Sequence, residues 1–224
     1  MWSLSPSAGN AANNAKPITV DVWIDFGSPT CRAGLLQLKR AINDFGKPVT
    51  VKLHAFRIDP NAPADYGMTT IQALCKNENI TPDQANQMLQ KVHEMGNQVG
   101  LEFNFDIARG CNTMEAFRIT YLAQEHGKQF ELAEDLFTAH FEKGILISDH
   151  AELKKIALAH GLPENEIDSV LASNKYQSDV ETDEKLVITL KMEYHPFFIF
   201  GSCINVAGLK TPEEYLEALQ NLQN

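Results

Sequence analysis

The chain has 224 residues, of which 44% are hydrophobic and 21% charged, a composition ordinary for a globular protein. Its formal net charge of −10 argues against non-specific binding to nucleic acid or to an anionic membrane, because both need a basic surface. No apolar run is long enough to span a bilayer and the start lacks the pattern of a signal peptide, so we expect a cytoplasmic protein without nucleic-acid or membrane partners.

The first predicted elements, after a polar tail expected to be disordered over residues 1–15, form a β-α-β unit. Residues 18–26, ITVDVWIDF, alternate in polarity and are rich in β-branched and aromatic side chains, which predicts a strand. A helix follows and ends near Gly46, and residues 49–58, VTVKLHAFRI, predict a second strand. Two strands joined by one helix over so short a span are expected to be parallel.

The middle of the chain, residues 61–173, predicts helices and almost no strand. One helix is predicted to begin after Thr81, which forms a capping box with Gln84. Another is predicted to begin on Asn112, with Glu115 three residues on. Three further helices are predicted. The first ends at Gly144, the second begins with Asp149 and Glu152 as caps, and the third runs from Pro163 to Leu171.

The last part of the chain returns to mixed structure. A long helix over roughly 175–193 precedes two short apolar strands, residues 195–200 and 203–208, which a tight turn is expected to join into a hairpin. Thr211 opens the last helix with a capping box to Glu214. The predicted order is therefore β-α-β, a helical block, and α-β-β-α, an α/β protein.

Three collinear motifs resemble one family. VWIDFGSPTCRAG resembles the active-site segment of the DsbA-like thioredoxin-fold family, where a strand ending in W-x-D leads to C-P-x-C at a helix start. HPFFIF followed by INVAG resembles that family's V-P-F-F-V-F and next strand, in which the proline is cis. Residues 100–144 resemble the helical insertion of the FrnE branch. The resemblance runs from about Ile18 to Leu222, nearly the whole chain.

The resemblance implies a thioredoxin fold with a large all-helical insertion after the second strand. Residues 16–60 and 174–224 are then the thioredoxin-like domain, and residues 61–173 are the insertion domain. The implied activity is that of a thiol-disulfide oxidoreductase, acting on a thiol or disulfide substrate that is a small molecule or an extended peptide. A homodimer is left open, and no tightly bound cofactor is expected.

This chain departs from the family at the most important position. The nucleophilic first cysteine of the family aligns with Ser28, and the resolving cysteine aligns with Cys31, which gives an atypical S-P-T-C site. A serine hydroxyl cannot form a disulfide, so we do not expect this chain to cycle as a dithiol. Ser28 and Cys31 are nevertheless the candidate catalytic residues. The candidate substrate-binding residues are Pro29, Thr30, His195, Pro196, expected to be cis, and Asn112, which matches an asparagine of the family's insertion.

Two other functions compete with the redox interpretation. Kappa-class glutathione transferases and 2-hydroxychromene-2-carboxylate isomerases share this fold and carry S-P-[YF]-S, and Ser28-Pro29 matches its first half. A serine at a helix N-terminus can hydrogen bond the sulfur of glutathione, so glutathione is the candidate co-substrate. Alternatively, the protein is a non-catalytic module that holds an extended peptide beside the cis-proline.

Several residues have an ordinary structural interpretation beside the functional one. Ser28-Pro29 fits the N-cap pattern that Thr81 and Thr211 also follow, and Asn112 is an equally good cap. His195 is either a titratable group near Ser28 or a packed ring.

The four cysteines are far apart in the sequence. They contain no C-x-x-C pair, so we expect no metal site of the structural zinc type. Cys75 and Cys203 are predicted to be buried, and Cys111 is predicted to be the most exposed of the cysteines.

Overall fold

The structure is a computed structural model that describes residues 18–223, so the predicted tail lies outside the described residues. The first three elements are β1 (Ile18–Ile24), α1 (Pro29–Phe45) and β2 (Val49–Ala55). The helices that follow are α2 (Thr70–Glu78), α3 (Pro82–Val99), α4 (Met114–Glu125), α5 (Gln129–Phe141), α6 (His150–Ala159), α7 (Glu164–Leu171) and α8 (Gln177–Thr189). The last elements are β3 (Phe197–Phe200), β4 (Ile204–Ala207) and α9 (Pro212–Asn221).

The four strands form one mixed sheet in the order β2-β1-β3-β4. β1 pairs with β2 in parallel, and β3 pairs antiparallel with both β1 and β4, so the predicted parallel pair and hairpin are confirmed. The central strand β1 buries Val20, Val22 and Ile24 completely. This arrangement brings the end of β1 beside the start of β3, although about 170 residues separate them in the sequence.

The sheet and the inserted helices share one continuous hydrophobic core. Phe26, just after β1, packs against Phe117 of α4 and Phe137 of α5, with ring centroids 4.8 and 5.0 Å apart. Because these rings are fully buried, the inserted helices are held firmly against the segment that precedes α1.

The outer edge of β2 is covered by side chains. The Gln129 side chain at the start of α5 accepts a hydrogen bond from the Leu53 N–H and donates one to the Leu53 carbonyl, each at 3.0 Å. Asp183 of α8 accepts a further bond from the Ala55 N–H at 3.0 Å. Backbone groups that a further strand would pair with are therefore satisfied by side chains.

Capping residues set several helix starts as the sequence predicts. Thr81 and Thr211 form capping boxes with Gln84 and Glu214, and Asp149 caps α6 through its side chain. None of the helices within residues 18–223 is long and apolar enough to cross a membrane.

Several predicted helix limits are wrong, including the end predicted at Gly144, since α5 ends at Phe141. The predicted start on Asn112 gives way to Thr113 as the N-cap of α4, although the Asn112 side chain still accepts a hydrogen bond from the Met114 N–H at 2.9 Å. The helix predicted over 175–193 spans only Gln177–Thr189, because Tyr176 before it and Lys191 after it adopt positive φ angles of 66° and 51°.

Candidate functional site

The candidate site lies where α1 begins. Ser28 is the N-cap of α1, and its hydroxyl accepts a hydrogen bond from the Cys31 N–H at 3.3 Å. The loop that carries the cis His195-Pro196 bond packs against the same helix at Gly34. A Cβ on Gly34 would lie 2.6 Å from the Pro196 ring, so only glycine permits this approach. The fold thus brings the S-P-T-C segment and the cis-proline loop together.

Ser28 is both a cap and the centre of a hydrogen-bonded cluster. Its Oγ lies 2.9 Å from the Thr30 Oγ1 and 3.1 Å from the His195 Nδ1. The Thr30 hydroxyl also donates to the His195 carbonyl at 3.4 Å. The Ser28 side chain is only 2% exposed, so Thr30 and His195 stand between it and solvent.

His195 has the features of both a titratable group near Ser28 and a packed ring. Its half-buried ring contacts Ser28 and also packs edge-on against Phe56, with ring centroids 5.4 Å apart. Burial lowers the pKa of His195 below its ordinary value, and the Asp25 carboxylate opposes that change. The ring is therefore neutral at pH 7, with one ring nitrogen able to accept a proton.

Cys31 is placed beneath the cluster and is fully buried, with 0% of its surface exposed. Its Sγ accepts a hydrogen bond from the Asp25 N–H at 3.4 Å and lies 3.6 Å from the His195 Nδ1. Burial raises the pKa of Cys31 to about 12 and outweighs the opposite effect of its hydrogen-bond partners. A thiol in this state is a poor nucleophile at neutral pH.

Asp25, at the end of β1, connects three segments around the site. Its carboxylate accepts hydrogen bonds from the Gly27 N–H at 3.1 Å, the Ile58 N–H at 2.7 Å and the Thr113 hydroxyl at 3.0 Å. The residue is 4% exposed, so its charge is held by these three donors. Asp25 thereby fixes the turn before Ser28 against the start of α4.

Asn112 is not part of the cluster around Ser28. Its amide donates to the Ala62 carbonyl at 2.8 Å, and its side-chain oxygen accepts from Arg57 at 3.1 Å. Arg57 in turn contacts Glu184 of α8. Asn112 therefore joins the loop after β2 to the start of α4, one residue from Thr113 and its bond to Asp25.

A cavity of about 380 Å³ lies on the side of α1 that faces the inserted helices. Gly27 and Pro29 border it at the helix start, and Cys111 and His140 also line it. Burial raises the pKa of Cys111 to about 11 and lowers that of His140 to about 4. The cavity places an apolar binding space next to the N-terminus of α1, although Ser28 itself does not line it.

The predicted exposure of three cysteines needs correction. Cys111 is half-buried, and Cys203, predicted to be buried, is the exposed cysteine of the described residues; Cys75 is half-buried. Cys203 follows the short turn between β3 and β4, where Gly201 and Ser202 have positive φ angles. The turn carries its side chain outward, and nothing in the spacing of the cysteines indicates this.

A second polar cluster, on β1, β2 and α8, was not predicted. His54 of β2 lies between Asp21 of β1 at 3.0 Å and Asp183 of α8 at 2.9 Å, and its ring stacks on Trp23 at 4.4 Å. It borders a larger cavity of about 590 Å³. No sequence signal joins these residues, because α8 comes more than 120 residues after β2.

The sheet order, the cis-proline loop and the capped helix start beside it define a thioredoxin-fold protein. Residues 19–220 match the family model of the DSBA-like thioredoxin domain, and the chain belongs to that family. A search of curated proteins gives no match.

Solved structures share the fold at low sequence identity. A probable DsbA oxidoreductase from Streptomyces coelicolor has a TM-score of 0.83 and 23% identity, with 92% of this chain and 90% of that chain covered. The cytosolic disulfide reductase DsbM from Pseudomonas aeruginosa, solved with GSH, has a TM-score of 0.65 and 14% identity, with 92% and 98% covered. A 2-hydroxychromene-2-carboxylate isomerase has a TM-score of 0.62 and 15% identity, with 92% and 94% covered.

Proposed function

We propose that this chain binds a small thiol of the glutathione class at the start of α1 and uses the sulfur of that thiol, in place of a cysteine pair of its own, to transform a second substrate. The observation that carries the proposal is the state of Cys31. It is fully buried, its pKa is raised to about 12, and Ser28 holds the first position of the motif, where the family has its nucleophilic cysteine. The chain thus lacks an accessible nucleophilic sulfur at the place where the resemblance implies one.

The helix start favours a bound thiolate. The N-terminus of α1 carries a partial positive charge, and the chain places no acidic residue in the first turn of this helix. A substrate sulfur near Thr30 and His195 would be stabilised there as an anion. His195 and Thr30 are the residues that would meet it, because Ser28 lies behind them.

The adjacent cavity supports a reaction with a second substrate. Its volume of about 380 Å³ falls in the range of small-molecule sites, and its lining includes Leu89, Val92 and Phe105. An apolar electrophile bound there would lie beside Gly27 and Pro29 at the helix start. This favours a glutathione-dependent transferase or isomerase, the reaction class of one structural neighbour.

A dithiol oxidoreductase ancestry is the second candidate. Family membership and the Streptomyces neighbour favour it, and Cys31 lies beneath Ser28 as a resolving cysteine would. On this view Ser28→Cys restores a cysteine pair in a fold that is otherwise prepared for it.

Calorimetry with glutathione and with S-methylglutathione tests the proposal. We expect both to bind the native chain, since the site needs no cysteine of the protein. Absence of binding at millimolar ligand by a folded chain overturns it.

Insulin reduction separates the two candidates. The native chain is expected to be inactive, and Ser28→Cys is expected to be active only if the dithiol ancestry holds. Cys203→Ser is the matched control, because it removes the exposed thiol that would otherwise react non-specifically. Reduction by the native chain that survives in Cys203→Ser would contradict the expectation that Cys31 is inert.

A further inference from the structure

We assign the hydrogen of the neutral His195 ring to Nδ1 from the hydrogen bonds around Ser28. A hydroxyl donates one hydrogen, and the Thr30 hydroxyl donates to the His195 carbonyl. In the 2.9 Å contact between Ser28 and Thr30, Ser28 is then the donor. Ser28 has no further hydrogen, so in the 3.1 Å contact with His195 the Nδ1–H donates to the Ser28 Oγ.

The opposite ring nitrogen is left as a free base. A neutral imidazole that carries its hydrogen on Nδ1 has an unprotonated Nε2 with a lone pair. The His195 Nε2 makes no hydrogen bond within residues 18–223, and it is not among the buried polar atoms that lack a partner. It is therefore open to solvent, on a ring that is half-buried at the start of α1.

We propose that His195 is the proton acceptor for the incoming thiol and that Ser28 and Thr30 position its ring. The inference rests on the proposed function, because it names the group that ionises the thiol bound there. In the step, the S–H bond of the thiol breaks and its hydrogen forms an N–H bond with Nε2. The electron pair of the S–H bond stays on the sulfur, which gives a thiolate beside an imidazolium.

The neighbours of His195 make this proton transfer conditional on the thiol. Burial disfavours the imidazolium, Asp25 favours it, and the Cys31 thiol at 3.6 Å stays neutral because its pKa is raised to about 12. Phe56 contributes only an apolar ring edge. A thiolate near Nε2 adds the negative charge that stabilises the imidazolium. His195 is thus neutral without substrate and protonated with it.

Ser28 is not the group that meets the sulfur in this arrangement. It is 2% exposed, its hydrogen is donated to Thr30, and its oxygen already accepts from Cys31 and His195. Its role is to orient the imidazole, much as a carboxylate orients the histidine of a catalytic triad. Histidine before the cis-proline thus contacts serine at the start of α1. Ser28 differs from the first cysteine of the family's C-P-x-C motif, and His195 differs from the valine that begins its V-P-F-F-V-F motif.

The test measures the ionisation of bound glutathione by the ultraviolet absorbance of its thiolate as a function of pH. The decisive variant is His195→Asn, because an asparagine amide can occupy the place of Nδ1 and donate to Ser28 but has no group in the place of Nε2. With the native chain we expect the thiol to ionise at least about one pH unit below its ordinary pKa of about 8.5, a tenfold effect. In His195→Asn this tenfold effect should disappear, and titration with S-methylglutathione, which has no thiol proton, measures separately any change in binding.

Thr30→Val provides a second variant that keeps the imidazole. It removes the hydroxyl that fixes the Ser28 donor, so we expect a partial loss of the ionisation effect. If His195→Asn ionises glutathione as the native chain does, His195 is only a packed ring and the inference is wrong. If the native chain binds S-methylglutathione but leaves the glutathione thiol at its ordinary pKa, the binding proposal stands and the role of His195 falls.

Discussion

His54 is expected to make the stability of this fold depend on pH in the alkaline range. Each of its ring nitrogens faces a carboxylate, Asp21 at 3.0 Å and Asp183 at 2.9 Å, so both nitrogens act as donors and the ring is an imidazolium. Burial alone would lower the pKa of His54, but the hydrogen bonds and charges of the two carboxylates outweigh it and raise the pKa to about 9.

The size and the sign of the effect follow from that value. Each pKa unit corresponds to about 1.36 kcal/mol, so the rise from 6.5 to about 9 stabilises the folded state by about 3 kcal/mol. Below pH 6.5 the folded and unfolded states are both protonated at His54, and the contribution is complete. It is lost as the pH rises from 6.5 through 9, because the folded state then gives up its proton.

Urea unfolding at a series of pH values, compared between the native chain and His54→Gln, measures this contribution. The free energy of unfolding of the native chain should fall by about 3 kcal/mol more than that of the variant between pH 6.5 and 9. Trp23 stacks on His54, so its fluorescence should change over the same range in a Trp2→Phe background. Parallel pH curves for the two chains would refute the assignment of the charge to His54.

Two further predictions concern packing and acid stability. Gly34→Ala adds a Cβ 2.6 Å from the Pro196 ring. The cost of overpacking, about 1–3 kcal/mol, should exceed the gain in helix propensity of about 1 kcal/mol. Thermal unfolding should therefore show a lower melting temperature for Gly34→Ala than for Gly27→Ala, whose Cβ would meet nothing nearer than 3.8 Å. An equal melting temperature would contradict the close approach. Burial lowers the pKa of His140 to about 4, so the native chain should lose about 3 kcal/mol more stability than His140→Phe as the pH falls from 6.5 to 4. The same acid slope in both chains would disprove this.

The elements of the fold could be predicted from the sequence because their signals are local. A capping box occupies four consecutive residues, so the sequence alone predicts those at Thr81 and Thr211. The same signal at Thr69 and Gln72 begins α2, which is absent from the predicted helices. The limits of α8 could not be predicted either, since they depend on positive φ angles at Tyr176 and Lys191.

The site could be predicted in its place but not in its contacts. The motifs indicate that Ser28 and Pro196 approach each other, and the structure brings their segments together. Which atoms meet depends on side-chain packing over 167 residues of separation, as in the 3.1 Å contact between Ser28 and His195. Asn112 illustrates the same limit, since Arg57 and the loop after β2 hold it away from Ser28.

Gln129 gives the sheet an asymmetry that bears on self-association. Its amide hydrogen bonds both the N–H and the carbonyl of Leu53, as a residue of a neighbouring strand would. Asp183 accepts a hydrogen bond from the next outward N–H along β2, that of Ala55. An extended segment of another molecule would have to displace these bonds before it could add to β2, which guards that edge against aggregation. Strand addition to the described sheet would start at β4, where four residues offer only a short template.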